Sequence, residues 1–260
     1  MTAPASQALH YTLEGPAGAP VVVLSNSLGT SLSMWQYQAE ALRARWRVLR
    51  YDTRGHGRST VAATGPGTAY TLAQLGRDVT GLMDRLEIER AHFCGISMGG
   101  ITGLWLGVHA PERLLSLTVA NSAARIGTAE AWNLRAAQVV DQGMAELASG
   151  APARWFTPGF ATSAAALVKA MTDELAASPA VGYAACCRAL ANADLRQDIA
   201  GISVPTLLIA GRDDQVTTVA DAQFMSKHIA GSRLVEVPAS HLSNIEAPAQ
   251  FTTALLGLLD

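Results

Sequence analysis

The chain has 260 residues, 49% of them hydrophobic and 15% charged, with a formal net charge of −2. This composition allows a sizeable buried core and excludes a disordered chain. With no acidic or basic run, it also argues against nucleic-acid or polybasic membrane partners.

At about 150 residues per domain, the length leaves one or two domains open. The N-terminal MTAPASQALHYTLEG lacks a charged region followed by an apolar run, so no secretory leader is expected. PVVVLSNS (Pro20–Ser27) and WRVLRYD (Trp46–Asp52) read as strands. Leu72–Leu86 reads as a helix, because Leu72, Leu75, Val79, Leu82, Met83 and Leu86 keep a helical period. AHFCG (Ala91–Gly95) reads as a strand. Met98–Val108 is a helix, ended by Pro111, and LSLTVANS (Leu115–Ser122) is a strand. PTLLIAG (Pro205–Gly211) and RLVEVP (Arg233–Pro238) are further strands, followed by helices over Val219–Ile229 and Pro248–Leu259 respectively. Several strands are apolar at successive positions, as strands covered on both faces must be. The alternation implies βαβ units and a mostly parallel sheet with helices on both faces.

From about Ala123 to Asp198 the rhythm breaks. The stretch is Ala-rich, carries Trp132 and Trp155, and reads as helices with few strand signals. The expected organisation is a core of residues 1–122 and 199–260 with a helical cap of residues 123–198. No apolar segment reaches the roughly 18 residues that span a bilayer. Three cysteines, two of them the adjacent Cys186 and Cys187, do not make a disulfide framework, so a cytoplasmic location is expected.

The strongest local signal is Gly95-Ile96-Ser97-Met98-Gly99, a G-x-S-x-G motif after a strand and before a helix. A sharp strand-to-helix turn requires small flanking residues and lifts the serine hydroxyl above the carboxyl ends of the strands. The N–H of Met98 then points at a developing oxyanion. A serine at its own pKa is a poor nucleophile, so it needs a base oriented by an acid. With this elbow the chain order is serine, acid, histidine. Of six histidines, His10, His56 and His92 precede Ser97, His109 ends the helix that follows it, and His228 sits within a helical pattern. His241, in the loop PASHLSN after a strand, remains as the base. The acid should leave another strand end, and PTLLIAGRDD offers Asp213 and Asp214; Gly-x-x-Asp spacing favours Asp214, leaving Asp213 as a turn former. The alternative position after the preceding strand is Asn121, which is not an acid. A second oxyanion donor is expected from the loop Asn26-Ser27-Leu28-Gly29-Thr30, with Leu28 favoured over Ser27. No phosphate-binding Gly-rich motif and no His/Cys cluster with metal spacing is found, so neither cofactor nor metal is expected.

The elbow, the Gly-x-x-Asp turn, the late histidine and DTRGHGRS (Asp52–Ser59) together resemble the α/β-hydrolase superfamily over about Val21 to Leu259. That resemblance implies that Asp52–Ser59 is a buried, hydrogen-bonded turn near the site. A closer resemblance, to the 3-oxoadipate enol-lactonases of the β-ketoadipate pathway, rests on SNSLGTSLSMW (Ser25–Trp35), AARIGTAEAWNLR (Ala123–Arg135), RWFTPGF (Arg154–Phe160) and SHLSNIEAP (Ser240–Pro248). It implies an anionic small-molecule lactone as substrate. The substrate's free carboxylate needs a cation, for which Arg135 is the candidate, with Arg125 in the same stretch and Trp132 as a pocket wall; a surface arginine and a core tryptophan are the bland alternatives. Competing readings are a carbon–carbon hydrolase of meta-cleavage products, a general carboxylesterase, and a non-catalytic receptor on the same fold. A serine at the elbow argues against halide or epoxide chemistry.

Overall fold

The computed structural model describes residues 9–59, 65 and 67–260; residues 1–8, on which the reading of the N-terminus rests, lie outside the described residues. Seven strands form one sheet: β1 (Tyr11–Glu14), β2 (Val21–Ser25), β3 (Arg47–Tyr51), β4 (Ala91–Ile96), β5 (Leu114–Ala120), β6 (Thr206–Gly211) and β7 (Arg233–Val237). Their order is β1-β3-β2-β4-β5-β6-β7. All neighbours are parallel except β1, which runs antiparallel to β3. The six strands read from sequence all form, with ends within two residues of the expected ones. β1 escapes that reading because YTLE is a four-residue, half-exposed edge segment with no apolar run. β2 and β6 are buried at every position, as strands between two helical layers must be.

The first helices are α1 (Gln36–Leu42), α2 (Leu72–Arg85) and α3 (Met98–His109). α2 begins at a capping box in which Thr71 and Gln74 satisfy each other's backbone N–H groups, and it buries the apolar face read from sequence. Between β5 and β6 lie six helices and no strand among the described residues: α4 (Ala129–Gln142), α5 (Ala145–Ser149), α6 (Ala151–Trp155), α7 (Pro158–Ser163), α8 (Ala165–Ala176) and α9 (Ala180–Ala191). A backbone hydrogen bond from Leu195 to Ala124 (2.8 Å) joins the two ends of this insertion. α9 also donates across to the sheet-side loops, with Arg188 Nη1 on the Thr68 carbonyl at 2.8 Å. The chain closes with α10 (Val219–His228), α11 (Ser243–Glu246) and α12 (Pro248–Leu259). Among the described residues no helix is long and apolar enough to cross a membrane.

Candidate active site

β4 delivers Ser97 to the carboxyl end of the sheet through a turn that few residues tolerate. Ser97 adopts φ 57° and ψ −115°, a positive-φ conformation outside the left-handed helical well that L residues seldom occupy. The surrounding structure holds it there. Ser97 N–H donates to the Ala120 carbonyl at 3.0 Å, and Ser122 Oγ donates to the Ser97 carbonyl at 2.8 Å. A Cβ on Gly95 would lie 2.2 Å from the Gly99 oxygen, and one on Gly99 would lie 2.2 Å from the Ser25 oxygen. Both glycines are therefore fixed by close backbone approach, the mechanical reason for the motif.

The loops after β6 and β7 bring an acid and a base together. His241 Nδ1 lies 2.9 Å from Asp214 Oδ2, and both residues are buried. Asp213 instead points to solvent. Asp214 Oδ1 accepts from the Val216 and Thr217 amides at 2.8 and 3.1 Å; Oδ2 also accepts from Thr217 Oγ1 at 2.9 Å and Asn121 Nδ2 at 3.0 Å. Burial pushes the carboxyl pKa up, but the hydrogen bond and charge of His241, with Asn121 and the Thr217 amide, hold it below its ordinary value. The other histidines are engaged elsewhere. His92 meets Ser116 Oγ at 2.8 Å, His109 stacks on Trp105, and His228 meets the Phe224 carbonyl at 2.8 Å. His10 pairs with Asp52.

Ser97 and His241 line one cavity of about 40 Å³, together with Ser27, Leu28, Trp132 and Arg135. Thus the sequence-read base, nucleophile, loop donor, tryptophan and arginine converge on one space. The Met98 side chain is packed in the core, so only its backbone amide, next to Ser97, can serve the site. Asn26 anchors the loop that carries Leu28. It donates from Nδ2 to the Tyr51 carbonyl at 2.8 Å, and its Oδ1 accepts from Trp35 Nε1 at 3.0 Å. The segment Asp52–Ser59 is the hydrogen-bonded turn expected of it. Asp52 Oδ1 accepts from the Leu32 amide and Oδ2 from the Arg58 amide, each at 2.8 Å.

The model of the family described as the alpha/beta hydrolase fold matches residues 20–248. The chain belongs to the α/β-hydrolase family. A curated relative, 3-oxoadipate enol-lactonase 2 of Acinetobacter baylyi (strain ATCC 33305 / BD413 / ADP1), is 50% identical over 95% of this chain and 91% of its own length. The crystal structure of the enol-lactonase from Burkholderia xenovorans LB400 superposes with a TM-score of 0.94 at 45% identity, covering 98% of this chain and 97% of that one. A hydrolase from Pseudomonas aeruginosa PA01 matches with a TM-score of 0.92 at 46% identity, over 96% and 94% of the two chains.

Within this α/β-hydrolase, the site departs from the sequence reading in two ways, at Arg125 and at lining residues that were not singled out. Arg125 is not brought to the cavity: its guanidinium lies 3.7 Å from Asp194 at the surface. Arg135 is brought there as read, stacked over Trp132 with 4.8 Å from guanidinium carbon to ring centre. Trp132 is fixed in turn by Nε1 donating to the Ile126 carbonyl. Finally, Arg154, Trp155, Leu175, Tyr183 and Val216 line the cavity without having been singled out as site residues. The one available signal was that Arg154 and Trp155 open RWFTPGF, one of the segments behind the closer resemblance.

Proposed function

We propose that this chain opens the lactone ring of 3-oxoadipate enol-lactone to give 3-oxoadipate, through a triad of Ser97, His241 and Asp214. The observation that carries the reading is the buried His241–Asp214 hydrogen bond at a cavity shared with Ser97 and Arg135. The similarity to proteins named as enol-lactonases supports the substrate. In this reading residues 123–198 are a helical cap on a core of residues 1–122 and 199–260. The protein is soluble and cytoplasmic, in keeping with three free, buried cysteines.

The chemistry follows from the arrangement. Asp214 engages Nδ1 of His241, which leaves Nε2 to take the Ser97 proton as Oγ attacks the lactone carbonyl. The amides of Leu28 and Met98 hold the tetrahedral oxyanion. Collapse breaks the acyl–oxygen bond of the ring. The leaving group departs as an enolate, which takes the proton from the His241 imidazolium, stays tethered to the acyl chain and relaxes to the ketone. His241 then removes a proton from water, hydroxide attacks the acyl-enzyme, and Ser97 recovers its proton from the imidazolium. Asp214 is ionised throughout and stabilises that imidazolium. Arg135 holds the substrate carboxylate, and Trp132 walls the pocket and fixes Arg135. Arg125, turned towards Asp194, takes no part.

The test follows the loss of enol-lactone ultraviolet absorbance with wild type and Ser97→Ala. We expect rapid turnover by wild type and a drop of roughly 10⁵-fold in the variant, with an unchanged melting temperature. A chromogenic acetate ester and a meta-cleavage dienoate serve as competing substrates. Faster turnover of either than of the enol-lactone would assign the cavity to a different hydrolase. Binding of the lactone without turnover of any ester would make the protein a receptor.

A further inference from the structure

Arg135 and Arg154 each line two cavities. One is the catalytic cavity that holds Ser97 and His241; the other, of about 230 Å³, lies on the far side of the two guanidiniums and adds Gln138, Gln142 and Glu146. The two arginines come from different helices, α4 and α6, yet stand at the same boundary. Arg154 Nη2 donates to the Leu147 carbonyl at 2.7 Å, which fixes the side chain while leaving most of its five N–H donors uncommitted. Arg135 is held from below by the Trp132 ring. Among the described residues no carboxylate forms an ion pair with either guanidinium, and Glu146, across the outer cavity, reaches neither. Burial first, then the nearness of Arg135, pushes the pKa of Arg154 down. Two half-dry cations without a counter-ion are a standing cost that an incoming anion removes.

We propose that Arg154 and Arg135 together form a two-guanidinium carboxylate clamp, and that the outer cavity is the vestibule through which a small carboxylate reaches it. The proposal deepens, and for its turnover arm rests on, the reading of the site as one that opens an anionic lactone. A single guanidinium would bind one carboxylate in a bidentate fork. A pair on either side of a carboxylate gives each oxygen its own fork partner and holds the chain axis pointing at Ser97. Arg154 also completes an outer cavity lined by two cations, two neutral amides and the apolar Val139 and Leu147, with Glu146 as the one opposing charge. Arg154 is a specificity-determining residue here, because a neutral ester gains nothing from it.

Two measurements on the full-length protein test the clamp. The first is calorimetric binding of adipate, a six-carbon dicarboxylate, to wild type, Arg154→Ala and Arg154→Lys. The clamp predicts at least about tenfold weaker binding for Arg154→Ala, as expected when a charge-assisted hydrogen bond is lost, and partial recovery with lysine, which restores charge but not the fork. The second is kcat/KM on the enol-lactone and on its neutral methyl ester. The clamp predicts a loss of about 10–100-fold on the acid for Arg154→Ala and less than about threefold on the ester. A structural role alone, through the Leu147 carbonyl, would lower both substrates alike, and that outcome overturns the proposal. Adipate binding unaffected by Arg154→Ala overturns it as well. If wild type binds adipate through Arg154 but turns over no enol-lactone, the clamp stands and the substrate reading falls.

Discussion

The two walls of the cavity lined by Ser97 and His241 are finished to different degrees. On the sheet side, Asp214 accepts from His241, Asn121, Thr217 Oγ1 and two backbone amides. Even its neighbour is satisfied, for Asn121 also donates to the Ser240 carbonyl at 3.1 Å and accepts from Ser243 Oγ. On the helical side, Arg135 and Arg154 face the same space with no carboxylate among the described residues paired to them. In the proposed function, groups that must keep one geometry through turnover are satisfied by the protein itself, whereas the groups assigned to the substrate keep donors that an anion would fill. The contrast separates preorganised catalysis from recognition completed on binding.

If the sheet side is the catalytic half, breaking it should have the largest effect. Asp214→Asn keeps the shape but removes the charge that orients and stabilises the His241 imidazolium. We expect kcat to fall by about 10³–10⁴-fold. Asp213→Asn, at an exposed position one residue earlier, should leave kcat within about twofold. Steady-state kinetics on the pair decides; comparable losses would mean that the acid is not the one that faces His241. The same carboxyl adds a pH signature. Because its pKa is depressed in the folded protein, its contribution to stability is complete above its ordinary value of about 3.9 and is lost as pH falls through the depressed one. The stability gap between wild type and Asp214→Asn should therefore narrow below about pH 4, as melting curves would report.

The helical side should fail differently. Arg135→Ala removes a cation from the cavity but leaves the triad intact. KM for the anionic lactone should rise by about 10–100-fold while kcat stays within about threefold, and a neutral ester should respond to neither. A fall in kcat on both substrates would instead place Arg135 in the chemical step and blur the division between the two walls.

The division also marks what sequence could and could not convey. The placement of Ser97, Asp214 and His241 was legible because each follows a strand, and strands fix where their carboxyl ends lie; only one elbow and one late loop histidine fit. Asp214 was preferred over Asp213 on the Gly-x-x-Asp spacing usual to the fold, and it is Asp214 that meets His241. Asn121 was read as a missing acid, and its work, holding Asp214 from the end of β5 at a left-handed φ of 42°, needed coordinates. The arginines were not separable. Arg135 and Arg154 lie in helices, where a shift of one position turns a side chain by about 100°, and Arg125 lies in the loop before α4, where no period applies. Arg125 turns to Asp194, while Arg154, passed over in the sequence, turns to the cavity. The short helices α5, α6 and α7 have no periodic run long enough to show which face is inward.

Two of the sequence segments behind the closer resemblance turn out to be bonded to each other, and this joint sets a limit on the separation of the walls. RWFTPGF meets SHLSNIEAP just after His241, at Leu242 and Glu246. The Leu242 amide donates to the Trp155 carbonyl at 3.0 Å, and the Ser240 amide donates to Glu246 Oε2 at 2.9 Å. The same Glu246 carboxylate accepts from the Thr157 amide at 3.2 Å and from the Thr157 hydroxyl. One carboxylate thus ties the stretch carrying Arg154 and Trp155 to the loop carrying the base. All its partners are donors, which suits an acceptor-only group. In Glu246→Gln one oxygen becomes an NH₂ that must face an N–H, so one side of the joint opens. We expect a loss of about 1 kcal/mol, hence a fall of about 2–4 °C in melting temperature for a chain of this size. The kinetic effect should be the smallest considered: a severalfold rise in KM with kcat lowered by less, because the Asp214–His241 bond persists while the arginine-bearing wall shifts. Glu246→Ala should add stability loss without changing that KM-to-kcat pattern. If kcat fell more than KM rose in both variants, the joint would serve the base itself, and the two walls would have to be treated as one unit.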